Sequence, residues 1–176
     1  HGKVKVGAGI TLTFPSNSQF ECYPGARFEM GNNSTVAVGG QFSVAGDQEN
    51  PVVFTLQQGA SSWNGIVANN SCQAHLSLEY CAFDGAENAV LVGEQAHFTM
   101  SNCVIENSSI GVQITPYLGD CPVVPTAKYI SNNTMTNVGM GIFLNTGAET
   151  HINNNIILGQ WSSGNQPQEL SAGIRC

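Results

Sequence analysis

The chain has 176 residues, 41% of them hydrophobic and only 10% charged, with a formal charge of −7. That composition supports one domain of ordinary size and argues against a disordered chain. The five cations (Lys3, Lys5, Arg27, Lys128 and Arg175) are scattered, which excludes the clustered positive surface that nucleic acid or an anionic membrane requires, and no apolar run approaches a membrane span of roughly 20 residues.

From Lys3 to Leu56 the chain reads as short strands: Ile10–Phe14, Gln19–Tyr23, Arg27–Met30, Thr35–Val38, Gln41–Val44 and Pro51–Leu56. Most alternate apolar with polar residues, the period of a half-buried strand. Turns such as Pro24-Gly25, Gly31-Asn32-Asn33 and Gly46-Asp47 separate them with residues that tolerate positive φ. No window has the apolar spacing and caps of a helix, so an all-β fold is expected.

After Trp63-Asn-Gly-Ile-Val the text becomes repetitive. Copies of one unit begin at Ala74, Ala96, Ala127 and Glu149, spaced 22, 31 and 22 residues apart. A second element, first seen at Trp63, returns at Asn88, Ile110, Met140 and Ala172, following one copy of the first each time. A unit of this length cannot bury its own apolar face, so copies must stack and share a core. Strand-turn-strand units stacked at about 4.8 Å make continuous parallel sheets, and the product is a parallel β-helix. At 22 residues per repeat, 176 residues give about eight coils.

The alignment puts Asn102, Asn133 and Asn155 at one position, the makings of a hydrogen-bonded Asn ladder. Cys81 and Cys103 fall at equivalent positions of adjacent coils, and a rung of about 4.8 Å lies within the Cα range of a disulfide, so a bridge is expected there. Cys22 with Cys72, and Cys121 with Cys176, are pairings by elimination; four cysteines allow three connectivities. The absence of CxxC or zinc spacing among the six cysteines makes structural disulfides, and with them an extracellular or cell-surface location, the expectation.

Asn133-Thr-Met-Thr-Asn-Val-Gly-Met-Gly-Ile-Phe-Leu and Val36-Ala-Val-Gly-Gly-Gln-Phe-Ser-Val-Ala-Gly, followed by Pro51-Val-Val-Phe-Thr and Trp63-Asn-Gly-Ile, resemble right-handed parallel β-helix proteins of the pectate-lyase-like superfamily. More narrowly, they resemble β-helix modules of large secreted bacterial surface proteins. The resemblance implies one β-helix domain over residues 1–176, expected as a fragment or module of a longer chain. It also implies two alternative roles: a structural or ligand-presenting module, or a polysaccharide-cleaving lyase or hydrolase.

Enzymes of that superfamily use clustered aspartates with calcium and a basic residue, or paired carboxylates. The best pair here is Asp84 and Glu106, at the same repeat position in successive coils and about 5 Å apart on a 4.8 Å spacing, which suits a retaining glycosidase or part of a calcium site. The competing reading places both at a solvated turn. His75 and His97 also stack in register and would make two legs of a metal site, but no third ligand aligns. No Ser or Cys sits in a nucleophile motif. The residue sets for catalysis are therefore incomplete, and a non-catalytic role with no cofactor is expected.

Two insertions, residues 116–126 and 161–169, break the period. Insertions in a solenoid map to loops on its flank, where binding usually resides. Tyr117, Asp120 and Trp161 on these insertions are the candidate binding residues, with carbohydrate or another surface protein as ligand. Uncapped terminal coils would allow end-to-end self-association.

Overall fold

The computed structural model describes residues 2–68, 73–116, 126–159 and 172–176. Every regular element among them is a strand. The first coil contains β1 (Lys3–Val6), β2 (Thr11–Phe14) and β3 (Gln19–Cys22), and the second β4 (Arg27–Met30), β5 (Thr35–Val38) and β6 (Gln41–Ala45). The third contains β7 (Val52–Leu56), β8 (Gly65–Ala68) and β9 (His75–Glu79), and the fourth β10 (Cys81–Asp84), β11 (Asn88–Gly93) and β12 (His97–Ser101). The fifth contains β13 (Val104–Glu106), β14 (Ile110–Thr115) and β15 (Lys128–Ser131), and the sixth β16 (Thr134–Val138), β17 (Met140–Leu144) and β18 (Thr150–Asn153). β19 (Ile156–Gly159) and β20 (Ala172–Arg175) begin a seventh.

All pairings between these strands are parallel, and they build three sheets. Sheet 1 runs β1-β4-β7-β10-β13-β16-β19, sheet 2 runs β2-β5-β8-β11-β14-β17-β20, and sheet 3 runs β3-β6-β9-β12-β15-β18. The expected parallel β-helix is the observed architecture. One outward column of sheet 1, Lys3, Arg27, Val53, Ala82, Val104, Thr134 and Ile156, shows coils of 24, 26, 29, 22, 30 and 22 residues. Extra residues collect in turns because the strands must stay in register to keep their hydrogen bonds.

The alternating side chains of each strand send one row inward. On sheet 1 that row is Phe28, Phe54, Phe83, Ile105, Met135 and Ile157. Identical rings one rung apart must stack nearly parallel: Phe28 and Phe54 lie 4.6 Å apart at 12°, Phe54 and Phe83 5.0 Å apart at 3°. Sheet 3 adds Phe20 against Phe42 at 4.9 Å. Trp63, fully buried, packs on Phe54 and donates its Nε1–H to the carbonyl of Asp84 at 3.0 Å.

The third copy of the repeat is phased one residue earlier than its sequence alignment suggests. Phe98 pairs with Lys128 and Ser101 with Ser131, so that coil is 30 residues long rather than 31. One step of register exchanges the faces of a strand. Asn102 therefore leaves the expected ladder. It joins Tyr80, Asn132 and Asn154 in a rank of turn residues with φ between 46° and 57°, a left-handed conformation that Asn tolerates and Tyr rarely adopts.

The true ladder is Cys81, Cys103, Asn133 and Asn155. Asn155 Oδ1 accepts the backbone N–H of Asn133 at 3.0 Å, and Asn133 Oδ1 accepts that of Cys103 at 2.9 Å. Cys103 Sγ accepts that of Cys81 at 3.4 Å in the same way. Each side chain also reaches a carbonyl one rung back on sheet 3. Asn133 donates to Met100 O (3.2 Å) and Asn155 to Ile130 O (2.9 Å). The single S–H of each thiol has two carbonyls within reach, Val44 O (3.8 Å) and Glu79 O (3.5 Å) for Cys81, and Leu78 O (3.7 Å) and Ser101 O (3.2 Å) for Cys103. Val44, Leu78, Met100 and Ile130 are themselves in register.

The expected Cys81–Cys103 bridge is not formed: both are buried free thiols, as is Cys22, while Cys176 is free and exposed. In-register residues of parallel strands point the same way, which holds their Cβ atoms near the rung spacing of about 4.8 Å, whereas a disulfide draws them to about 3.8 Å. The pairings of Cys22 with Cys72 and of Cys121 with Cys176 fail on the described side, and Cys72 and Cys121 lie outside the described residues. Burial pushes the Cys22 thiol pKa up, and the hydrogen bond with Cys103, then burial, does so for Cys81. The disulfide argument for an oxidising compartment thereby loses its support.

Candidate functional site

Asp84 and Glu106 pair in register on the outward face of sheet 1, the arrangement expected from the repeat. Both Asp84 oxygens and one Glu106 oxygen accept hydrogen bonds. Asp84 accepts from Asn107 Nδ2 at 2.7 Å and from Thr55 Oγ1 at 3.4 Å, and Glu106 accepts from Thr136 Oγ1 at 3.2 Å. Asn137 Nδ2 continues the chain to Asn107 Oδ1 at 2.6 Å. Thr136 and Leu158 are the register partners that extend the column of Asp84 and Glu106.

The basic residues of that face gather two coils away. Lys3 lies 2.5 Å from Glu29, with Lys5 and Arg27 each at 3.7 Å, and the hydrogen bond from Lys3 leads in holding the Glu29 carboxyl below its ordinary range. Two rungs separate Glu29 from Asp84, about 10 Å, beyond reach for a proton transfer or a shared ligand. Among the described residues, no three His, Cys, Asp or Glu side chains come together to hold a metal ion.

Tyr117, Asp120 and Trp161 lie outside the described residues.

The outward face of sheet 3 assembles a surface that sequence reasoning recognised only in part. His75 and His97 are in register, as expected, with ring centroids 4.1 Å apart. Around them, Gln19 Nε2 donates to Gln41 Oε1 at 2.9 Å and Thr99 Oγ1 to Ser77 Oγ at 3.1 Å. Further along, Tyr129 and His151 stack at 4.8 Å and 6°. Two adjoining depressions of about 480 and 360 Å³ share Gln41 and His75. Burial, then His75, then Lys128 push the His97 pKa down. The signal that was available is period-two polar residues in equivalent strands: Gln19, Gln41, His75 and His97 form one column.

Behind this face sits Lys128, fully buried in the inward column of Phe20, Phe42, Leu76 and Phe98. Its ammonium donates to Glu94 O at 2.7 Å, Thr126 O at 2.6 Å and Thr126 Oγ1 at 2.9 Å, so all three protons find oxygen. Burial pushes its pKa down to about 8, with the nearby Glu94 charge opposing the shift. The side chain is fully committed to backbone and hydroxyl acceptors, which makes it an internal strut rather than a reactive amine.

A family model described as the right handed beta helix region matches residues 64–173. No curated protein matches the chain, and no solved structure matches it. The match begins at the turn into β8 and takes in the later coils, where the Asn turns after sheet 3 and the interior ladder lie. With more than half its length matched, and with three parallel sheets wound around one core, the chain belongs to the right-handed β-helix family.

Proposed function

We propose that this β-helix is a non-catalytic, ligand-presenting module of an extracellular or cell-surface protein, taking carbohydrate or a protein partner as its ligand. The observation that supports the non-catalytic part is the state of Asp84 and Glu106. Both Asp84 oxygens and one Glu106 oxygen accept hydrogen bonds, from Thr55, Asn107 and Thr136, and among the described residues the Lys and Arg ion pairs go to Glu29 instead. A general acid or nucleophile must be within hydrogen-bond reach of the reacting atoms and have its partner poised to exchange a proton. Here the carboxylates satisfy neighbouring turns, an architectural use. The low charge, 10% of residues, supports a surface that meets neutral polar ligands.

The test is turnover. Incubating the chain with a panel of neutral and acidic polysaccharides, and following new reducing ends and unsaturated products, is expected to give no signal above buffer. Turnover abolished by both Asp84→Asn and Glu106→Gln would establish the polysaccharide-cleaving alternative instead. Fractionating cells that produce the whole protein tests its location; recovery solely from the cytoplasm overturns the surface assignment.

A further inference from the structure

We infer that the trough on the outward face of sheet 3, centred on Gln41 and His75, is a binding site for a neutral oligosaccharide. The inference rests on the ligand-presenting reading and names the site and the ligand chemistry for it.

The geometry comes first. Two depressions, about 480 and 360 Å³, meet at Gln41 and His75 and run across the strands, along the solenoid axis. Volumes of this size fall in the range of small-molecule sites. Neighbouring strands are about 4.8 Å apart, so a chain-like ligand lying along the trough meets one row of side chains at each rung. The floor is a parallel sheet anchored on both sides, and the rows are therefore held in place before any ligand arrives, which lowers the ordering cost of binding.

The chemistry of the lining selects the class. Among the described residues, no Lys, Arg, Asp or Glu lines either depression. An anionic or cationic ligand would leave its charge unpaired there, a costly arrangement. The lining is instead amide, hydroxyl and imidazole, groups that donate and accept. Each outward pair uses one bond internally, Gln19 to Gln41 and Thr99 to Ser77, and a Gln amide has two N–H donors and a carbonyl oxygen, which leaves capacity toward solvent. Polyhydroxyl ligands match that mixture of donors and acceptors. The imidazoles of His75 and His97, stacked with centroids 4.1 Å apart, add ring nitrogens to that mixture. Their environment lowers the His97 pKa, which keeps that ring uncharged at neutral pH.

The experiment is a glycan array probed with the whole chain, followed by calorimetry on the strongest neutral hit and on an oligogalacturonate of similar length. Neutral glycans are expected to bind and the acidic oligomer not to. Affinity should change less than about threefold between 50 and 500 mM salt, because no phosphate-like charge is neutralised. Gln41→Ala combined with His75→Ala, both exposed and outside the core, should weaken binding by about tenfold or more, equivalent to about 1.4 kcal/mol. Asp84→Asn on sheet 1 should leave it unchanged. Circular dichroism and the unfolding midpoint confirm that each variant is folded. Binding restricted to acidic glycans, binding indifferent to the double substitution, or no neutral glycan bound at all overturns the site. These outcomes are separable from failure of the non-catalytic reading, which only turnover would overturn.

Discussion

The first four coils and the last three solve the same packing problem with different chemistry. In the early coils the inward rows are Phe28, Phe54 and Phe83 on sheet 1, and Phe20, Phe42, Leu76 and Phe98 on sheet 3. In the later coils the same columns continue as Ile105, Met135 and Ile157, and as Lys128 and Thr150. At the ladder position, Cys81 and Cys103 give way to Asn133 and Asn155. Aromatic rings stabilise the early half by area and stacking; the later half keeps aliphatic rows and adds buried hydrogen bonds that must all be satisfied, a less forgiving arrangement.

The largest expected effect tests the aromatic half. Phe54→Ala removes the middle ring of a three-ring stack and should cost about 3–5 kcal/mol, read from the shift in denaturant midpoint at unchanged slope. A cost below about 1 kcal/mol would mean the stack is incidental, since a buried Phe contributes more than that by area alone.

Next comes the polar half. Asn133→Ala strips the acceptor from the Cys103 N–H and the donor from Met100 O and Asn155 Oδ1, for an expected loss of about 2–4 kcal/mol. The same readout applies. If the loss matched that of an exposed Asn without positive φ, such as Asn153, the ladder would contribute nothing specific.

Lys128 predicts a pH dependence confined to the later half. Its folded pKa of about 8 lies below the ordinary 10.5, so between these values the folded chain binds fewer protons than the unfolded chain. Stability therefore rises with pH in that window, by at most about 1.4 kcal/mol per unit for one proton. Cys22 and Cys81 act the other way: their raised pKa values keep them protonated when folded, and stability is lost as pH climbs past the ordinary thiol value of 9. The net expectation is a rise from about pH 8 to 9 followed by a fall. Lys128→Met should abolish the rise and keep the fall, as measured by midpoints across pH; a rise persisting in the variant would show that another group causes it.

The smallest expected effect asks whether the two ladder chemistries are interchangeable. Cys103→Asn supplies an acceptor for the Cys81 N–H and a donor for Leu78 O, so stability should move by less than about 1 kcal/mol in either direction. Its native counterpart should resist thiol reagents until unfolded, because Cys103 is only 1% exposed. Rapid labelling at Cys103 itself in the folded chain, as distinct from the exposed Cys176, would contradict the buried thiol ladder.

Much of this was readable in advance, and the misreadings share one cause. The strands, the parallel stacking and the register of Asp84 with Glu106 and of His75 with His97 follow from alternation and from a period that shows in the text. The ladder was misphased because Asn occurs in runs, Asn132-Asn133 and Asn153-Asn154-Asn155, so either residue of a pair fits the pattern. Nothing in the sequence marks Lys128 as interior, because a charge defaults to solvent; the one-residue step that puts it inside also brings three oxygens to it. The sheet 3 trough was missed because its residues, Gln19, Gln41, His75 and His97, come from four coils and are individually ordinary.

By itself, then, the sequence determined the fold class: short alternating strands with positive-φ turn residues and a coil-length repeat have few other ways to bury their apolar rows. Only the tertiary structure decided register, and register assigns each side chain to the core or to solvent. It turned an expected disulfide into two hydrogen-bonded thiols, moved Asn102 from ladder to turn, and buried Lys128. The physical reason is that coils of unequal length are aligned by their hydrogen bonds across the rungs, and paired residues such as Ala82 with Val104 and Gln41 with His75 are 22 and 34 positions apart, a distance at which local pattern no longer constrains the phase.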